Sequence, residues 1–303
     1  MREPAQIRIL PGGKRLHLHD GPMDLIVEAY GGTECVRAAY RAAAERFVGI
    51  LDELCGELEL LRQEAGAGSA VPEGIVAKRM FAAVAPFAAS AFITPMAAVA
   101  GAVAEEILRV MTSAAALSRA YANNGGDIAL HLAPGEEFSV ALVDRPDEPS
   151  LFGRATLRAE DGIRGIATSG WRGRSFSLGI ADAVTILAAT AAGADAAATI
   201  VANAVDLPGH PAIERVAARE IQPDTDLGEM RVTRAVGPLQ QLEIEEALAR
   251  GLAKADELLA AGWIGAAALH LQGETISTGI YASPEKGRFV SPGSPSGGNF
   301  LHA

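Results

Sequence analysis

Cysteine is scarce in this chain of 303 residues, which contains only Cys35 and Cys55. Both fall in one stretch of helical periodicity, about five and a half turns apart, so a straight helix would hold them too far apart for a disulfide. We therefore expect two free thiols in a reducing compartment. The first ten residues, MREPAQIRIL, contain no apolar secretory core, and a cytoplasmic location is the expectation.

The chain also has few basic and few aromatic residues. The chain has 26 Lys and Arg against 37 Asp and Glu, a net charge of −11, and 5% aromatic residues. This balance excludes nucleic acid as the main partner. The small apolar side chains that supply much of the bulk favour close packing of helices onto a sheet.

Residues 80–104 form an uncharged stretch that is long enough to span a bilayer. Pro86 and Pro95 interrupt it, and Thr94 followed by Pro95 is typical of a helix start. The interruptions favour a buried helix, and we expect no membrane partner.

The apolar patterns predict one large domain over residues 1–282. Alternation over residues 6–32 predicts strands, with His17 and His19 on one face as either a weak metal pair or an exposed surface. Spacings of three and four predict helices over 33–64 and 95–121. An antiparallel meander, another helix over 240–264 and a final strand or strand pair follow. Residues 283–303 are rich in Pro, Gly and Ser and predict a flexible tail.

The stretch NNGGDI, residues 123–128, is the first that could carry chemistry. We expect it to end the second helix and lead into a strand at Asp127. Paired Gly125 and Gly126 would let a ligand approach the backbone closely, with Asn124 beside them. The alternative is a turn without a ligand.

The second stretch is GIATSG, residues 165–170, followed directly by WRGR. Thr168, Ser169 and Gly170 could offer hydroxyl and amide groups to an anion or a polar ring edge. Arg172 and Arg174 could meet a phosphate at the same rim, or stay in solvent.

The third stretch is GADAAATIVANAV, residues 193–205, which reads as a helix starting near Ala194. Asp195 and Thr199 would then lie one turn apart on one helix face. A carboxylate and a hydroxyl so placed could give two oxygens to Mg²⁺. A polar surface stripe is the alternative.

In this order, NNGGDI, GIATSG and VTILAATAAGADAAAT together resemble the ApbE family of flavin transferases. Most of residues 8–282 look like the uncharacterised UPF0280 family, an ApbE-like offshoot. The resemblance implies an α+β fold in which antiparallel sheets pack against long Ala-rich helices. It further implies FAD as donor of an FMN group, or hydrolysis of FAD, with Mg²⁺ held by Asp195 and Thr199. The nucleotide pocket would be lined by Asn124, Gly125, Gly126, Asp127, Thr168, Ser169, Gly170, Arg172 and Arg174.

The sequence also departs from the ApbE pattern. In the family's GxAKGxxxD segment Gly101 fits, but Ala100 stands at the lysine position and Glu105 at the acid position. SFSLGIAD stands where ApbE members carry HxxDP. Two other functions therefore stay open: a protein or enzyme for a pterin or purine without metal chemistry, and a scaffold subunit without activity. The flat Ala-rich helix faces are compatible with a homodimer.

Overall fold

The computed structural model describes residues 3–143, 151–279 and 301–302, which form two compact units. Of the described residues, the first unit comprises 3–138, 157–166 and 189–195, and the second comprises 139–143, 151–156, 167–188, 196–279 and 301–302. The expectation of one domain over 1–282 stays a prediction. Apart from 301 and 302, the predicted tail of residues 283–303 lies outside the described residues.

The described residues contain fourteen β-strands and seven α-helices. The strands are β1 (Gln6–Ile9), β2 (Arg15–Asp20), β3 (Met23–Tyr30), β4 (Arg119–Asn124), β5 (Asp127–Leu132), β6 (Glu137–Val143), β7 (Leu151–Arg158), β8 (Gly165–Ser169), β9 (Ala183–Ala188), β10 (Ile213–Ala217), β11 (Arg231–Val236), β12 (Ala266–Leu271), β13 (Glu274–Gly279) and β14 (Leu301–His302). The helices are α1 (Thr33–Gly56), α2 (Leu58–Leu61), α3 (Ile75–Val84), α4 (Val99–Ala114), α5 (Ala191–Ala204), α6 (Ala218–Ile221) and α7 (Gln241–Ala260).

In the first unit, β1 to β5 form an antiparallel run in chain order, and β5 then pairs with the beginning of β8. The predicted alternation holds in β2, where Leu16 and Leu18 are buried and the intervening His17 and His19 are partly exposed. One apolar face of α1 and half of the residues of α4 are buried in the core of this unit. The sheet and these helices confirm the α+β class.

The predicted bounds of two helices in this unit were wrong. The helix expected over 33–64 ends at Gly56 and is followed by the short α2. The helix expected over 95–121 ends at Ala114, because residues 119–124 pair with β3 and β5 as strand β4. Tertiary pairing overrides the helix propensity of this Ala-containing segment. The pattern also gave no sign of α3.

The NNGG stretch therefore does not end a helix but turns the β4–β5 hairpin. Asn124 pairs with Asp127, and the two residues between them, Gly125 and Gly126, have φ angles of 67° and 117°. Two-residue hairpin loops favour positive φ at these positions, because the turn then matches the twist of the strands. The start of β5 at Asp127 is confirmed.

In the second unit, β9 is buried along its whole length and pairs with β12, which pairs with β13. Strands β10 and β11 form a hairpin of their own. Helix α7 packs closely, since a Cβ on Gly251 would lie 2.2 Å from Val205 and 2.7 Å from Leu269. The expected strand at β11, the helix at α7 and the last strand pair are confirmed.

The predicted meander of the middle third was wrong in its connections. β5 is followed in its sheet by β8, whereas β6 and β7 form a separate sheet with β14, which runs parallel to β6. Helix α5 begins at Ala191, three residues before the expected Ala194. Among the described residues, no helix is both long and apolar enough to cross a membrane.

Candidate functional site

Asn124 joins three elements of the first unit at the NNGG hairpin. Its side-chain oxygen accepts a hydrogen bond of 3.3 Å from the backbone N–H of Asp24 in β3. Its amide nitrogen donates to the backbone carbonyl of Ala100 near the start of α4, at 3.2 Å. The side chain is buried, so both bonds are protected from water. Asn124 thus fixes the hairpin relative to the first turn of α4.

Asp195 lies partly buried on α5 and faces that same turn of α4. Its Oδ2 atom accepts a hydrogen bond of 3.0 Å from the backbone N–H of Gly101, and the N–H of Ala100 also donates to the carboxylate. Burial and the negative charge of Asp127 raise the pKa of Asp195 well above its ordinary value, although the two amides oppose this shift. Asp127 and Asp195, two residues predicted from separate motifs, therefore interact through their charges.

Two glycines permit the close approach of the first turn of α5. A Cβ on Gly101 would lie 2.3 Å from the carbonyl oxygen of Ala191, and one on Gly165 would lie 2.1 Å from that of Thr190. Neither distance is possible for a real side chain without moving the backbone. The Gly101 position that matches the ApbE pattern therefore has a packing role.

Glu105 occupies the acid position of that pattern and caps α5. Its Oε1 atom accepts a hydrogen bond of 2.8 Å from the N–H of Ala192, and the N–H of Ala191 and the hydroxyl of Thr190 also donate to it. Its Oε2 atom lies 2.9 Å from Nε of Arg79. Burial raises the pKa of Glu105, and these bonds and the guanidinium only partly oppose the shift. A carboxylate at this position satisfies the free amides of a helix start.

Thr199, the second predicted metal ligand, lies one turn beyond Asp195 on α5 and is partly exposed. Within the described residues, no three His, Cys, Asp or Glu side chains converge as a metal cluster. A cation at Asp127 and Asp195 would need hydroxyl, carbonyl or water oxygens in addition. This set of hard oxygen donors fits Mg²⁺, which usually keeps several waters and binds through one or two carboxylates.

The ATSG residues belong to the second unit. Thr168 and Ser169 end β8, and the hydroxyl of Thr168 lies 2.8 Å from that of Thr185 on β9. A Cβ on Gly170 would lie 2.4 Å from the carbonyl oxygen of Asp182. Gly170 therefore makes room for the protein's own backbone, which the sequence could not distinguish from room for a ligand.

Arg172 has a carboxylate partner in the same unit. Its Nε donates to Oδ1 of Asp182 at 2.7 Å, and its guanidinium carbon lies 4.4 Å from the centre of the Trp171 ring. Asp182 also accepts hydrogen bonds from the Trp171 indole and from the backbone N–H of Gln272. Arg174 is exposed. Asp182 thus holds Arg172 in place.

A charged cluster in the first unit, centred on Glu106, was not predicted from the sequence. This carboxylate is fully buried and pairs with Arg46, Arg79 and Arg109, at 2.8, 3.3 and 2.9 Å. Burial alone would raise the pKa of Glu106, but hydrogen bonds and charges of Arg109 and Arg46 lower it to about 2. The only sequence signal is an acid pair inside the otherwise apolar stretch AVAEEIL.

A cleft of about 250 Å³ opens beside this cluster. None of the predicted site residues lines it. Its charged and titratable lining residues are three arginines, a histidine and a glutamate: Arg79, Arg109, Arg164, His131 and Glu105. These residues come from α3, α4, β5 and the segment before β8. Their distance along the chain explains why no local motif indicated the cleft.

Comparison with known families identifies the class of this protein. A family model described as "AbpE bacteria" matches residues 7–277. The chain belongs to this family. The resemblance to an ApbE-like family is therefore confirmed.

The curated relatives are UPF0280 proteins. One from Methanopyrus kandleri is 40% identical over 129 residues, which is 42% of this chain and 48% of the relative. One from Methanococcoides burtonii is 38% identical over 148 residues, 46% of this chain and 55% of the relative. The chain thus spans about half the length of the curated relatives it matches.

Two solved structures of flavin transferases align over most of the chain with low similarity. The apo form of flavinyl transferase ApbE from Pseudomonas stutzeri has a TM-score of 0.41 and 10% identity, covering 91% of this chain and 95% of the other. Flavin transferase ApbE from Vibrio cholerae has a TM-score of 0.37 and 10% identity, covering 91% and 97%. At these scores the alignments add no argument to the family assignment.

Proposed function

We propose that this protein binds a flavin nucleotide, FAD in the first place, together with Mg²⁺, and uses the metal to transfer the FMN group or to hydrolyse FAD. The observation that carries the proposal is the Asp195 carboxylate, which lies against the first turn of α4 and interacts with the negative charge of Asp127. Family membership and the three motifs support the flavin. The chain spans about half the length of its curated relatives, so their names do not establish its activity. The activity is therefore inferred from the residues of the site.

The two carboxylates are the reason to propose a cation. Asp127 already raises the pKa of Asp195, which means that two negative charges at this place disfavour each other. A bound Mg²⁺ would reverse that effect, because it favours the ionised form of both groups. We propose Asp195 and Asp127 as ligands, with Thr199 as the hydroxyl ligand that the helix spacing predicts.

The metal, when bound, would neutralise a pyrophosphate and act as a Lewis acid on it. The chain's own contribution is orientation. The amides of Ala100 and Gly101 hold the Asp195 carboxylate, and Asn124 holds the hairpin that carries Asp127. A carboxylate held in this way needs little reorganisation to receive the metal.

For the nucleotide, we propose the residues predicted from the motifs: Asn124, Gly125, Gly126, Asp127, Thr168, Ser169, Gly170, Arg172 and Arg174. A Cβ on Gly126 would meet nothing within 4 Å, so the hairpin backbone is open to a neighbouring group. Arg172 would reach a phosphate through N–H groups other than the Nε that Asp182 binds.

Calorimetric titration of FAD and of FMN, each with Mg²⁺ and with EDTA, tests the proposal. We expect FAD binding that requires Mg²⁺ and is lost in Asp195→Asn, while Glu34→Gln, an exposed carboxylate on α1, binds as the wild type does. Binding of FAD in EDTA with equal affinity in Asp195→Asn would contradict the metal role. Binding of a pterin or purine but of neither flavin would favour the alternative ligand class, and no binding of any of them would favour the scaffold.

A cytoplasmic location and a homodimer belong to the same proposal. Cys35 and Cys55 are both free thiols in the structure, which is typical of proteins in a reducing compartment. Light scattering of the purified chain gives the oligomeric state directly. A mass of one chain at micromolar concentration would contradict the homodimer.

A further inference from the structure

We infer that the cleft of about 250 Å³ in the first unit is a second binding site, which takes the phosphate group of a small phosphorylated molecule. This inference does not depend on the proposed function, because none of the residues assigned to metal or flavin lines the cleft. The protein carries a net charge of −11, so a concentration of guanidinium groups in one cleft is opposite to its general character.

Arg164 differs from the neighbouring arginines because no carboxylate among the described residues pairs with it. Arg46, Arg79 and Arg109 are matched by three carboxylates, those of Glu53, Glu105 and Glu106. The guanidinium of Arg164 instead donates to two backbone carbonyls, of Ile163 at 2.7 Å and of Ala159 at 2.8 Å. The ion pairs found among the described residues include none to Arg164, so its positive charge is in excess at the cleft.

The hydrogen-bond donors of the cleft are only partly used. A guanidinium has five N–H groups in a fixed planar arrangement. The described hydrogen bonds of Arg109 use Nε and Nη2 toward Glu106, and those of Arg164 use Nη1 and Nη2. The remaining N–H groups are available to an acceptor in the cleft.

The cleft is also organised before any ligand arrives. Glu106 is fully buried and binds Arg109 through two nitrogens, at 2.9 and 3.0 Å, so this guanidinium is fixed although its side chain is about half exposed. Arg79 is fixed in the same way between Glu105 and Glu106. Fixed arginines lose little freedom on binding an oxyanion.

The size and the lining indicate the ligand class. Leu108, Ala129, Leu130 and Ala189 give the cleft apolar surface, and Thr112 and Thr190 add hydroxyl groups. The lining also includes one carboxylate, Glu105, which is paired with Arg79. Its volume is near the lower end of ligand pockets, which begin at about 300 Å³. A phosphate accepts several charge-assisted hydrogen bonds from arginines at once, and the apolar surface can contact the small group that carries it. A phosphomonoester of low molecular weight satisfies both features.

Calorimetric titration with ribose 5-phosphate and inorganic phosphate tests this inference, with ribose as the uncharged control. The buffer contains EDTA and constant ionic strength, so that a magnesium site does not contribute. We expect both phosphates to bind saturably and ribose not to bind. We expect Arg164→Gln to weaken phosphate binding at least tenfold, while Arg37→Gln, an exposed arginine of α1, leaves it unchanged.

Two further variants separate binding from folding. Like Arg164→Gln, Arg164→Lys loses the guanidinium group that donates to the two backbone carbonyls. It keeps the positive charge, so it should retain most of the phosphate binding that Arg164→Gln loses. Asp195→Asn should bind ribose 5-phosphate as the wild type does, because it leaves the cleft intact. Absence of saturable binding in the wild type, or equal affinities in Arg164→Gln and Arg37→Gln, would overturn the inference.

Discussion

The carboxylate of Asp195 accepts a hydrogen bond of 3.0 Å from the backbone N–H of Gly101, ninety-four residues earlier in the chain. The same glycine lacks the Cβ that would otherwise lie 2.3 Å from the carbonyl oxygen of Ala191. Gly101 therefore leaves room for the first turn of α5, and its N–H also binds Asp195 in the second turn of α5. This relationship links the packing of the first unit to its proposed metal site.

The raised pKa of Asp195 predicts how stability depends on pH in the absence of metal. For an acid whose pKa rises on folding, the stabilisation is complete below its unfolded value and is lost as the pH rises through the folded value. In EDTA, Asp195→Asn should thus gain stability relative to the wild type on going from pH 4 to pH 8.

Urea unfolding of both proteins at these two pH values measures the difference, with Glu34→Gln as the exposed control. If the stability difference between wild type and Asp195→Asn is the same at pH 4 and pH 8, the carboxylate has no raised pKa in the folded protein.

The close approach of α4 and α5 predicts that Gly101→Ala is severely destabilising. Alanine normally stabilises a helix relative to glycine by about 1 kcal/mol, but here the Cβ has no room. We expect a loss of about 2–4 kcal/mol in the free energy of unfolding, as for other overpacked core positions with forced backbone shifts.

Gly56→Ala is the matched control, because Gly56 also lies in a helix and a Cβ there would meet nothing within 4 Å. It should be neutral or slightly stabilising in the same urea titration. A Gly101→Ala protein as stable as Gly56→Ala would show that α5 does not pack this closely on α4.

The buried cluster predicts a large effect of Glu106→Gln. Removing this charge leaves Arg46, Arg79 and Arg109 without their shared buried carboxylate. Breaking a buried ion pair in this way costs about 3–5 kcal/mol. Glu53→Gln removes a more exposed partner of Arg46 and should cost less than about 1 kcal/mol.

The sign of the Glu106 contribution follows from its lowered pKa of about 2. Its stabilisation is present above the ordinary carboxyl value and is lost as the pH falls through about 2. Unfolding in guanidinium chloride at neutral pH measures the free energy of unfolding of Glu106→Gln and of Glu53→Gln. Equal losses for Glu106→Gln and Glu53→Gln would mean that the carboxylate of Glu106 is not the centre of the cluster.

Much of the fold could be predicted where the pattern is local. Alternation in β2 and the three- and four-residue spacing in α7 reflect which side of one element is buried, and both were predicted correctly. The first half of β4, residues 119–121, was predicted as the end of a helix, because the strand depends on pairing with β3 and β5 and not on its own residues. The separate sheet of β6, β7 and β14 likewise depends on contacts distant in sequence.

In the candidate site, too, residues in short motifs could be predicted, and residues placed by distant contacts could not. Asn124, Asp127 and Asp195 were predicted from short motifs. The structure places Asn124 and Asp195 against the first turn of α4, and the charge of Asp127 acts on Asp195. The roles of Gly101 and Gly170 as packing positions could not be predicted, because a glycine that admits a ligand and one that admits the protein's own backbone look identical in sequence. Arg164 carries no motif at all, and only the fold brings it into the arginine-lined cleft.

The central claim is that Asp195 and Asp127 together hold a divalent cation. Calorimetric titration of Mg²⁺ into the wild type and into Asp195→Asn, Asp127→Asn and Glu34→Gln, without any nucleotide, tests it most directly. The account predicts saturable binding to the wild type and to Glu34→Gln, at least tenfold weaker in either aspartate variant. Binding that is unchanged in both aspartate variants, or absent from the wild type, would contradict it.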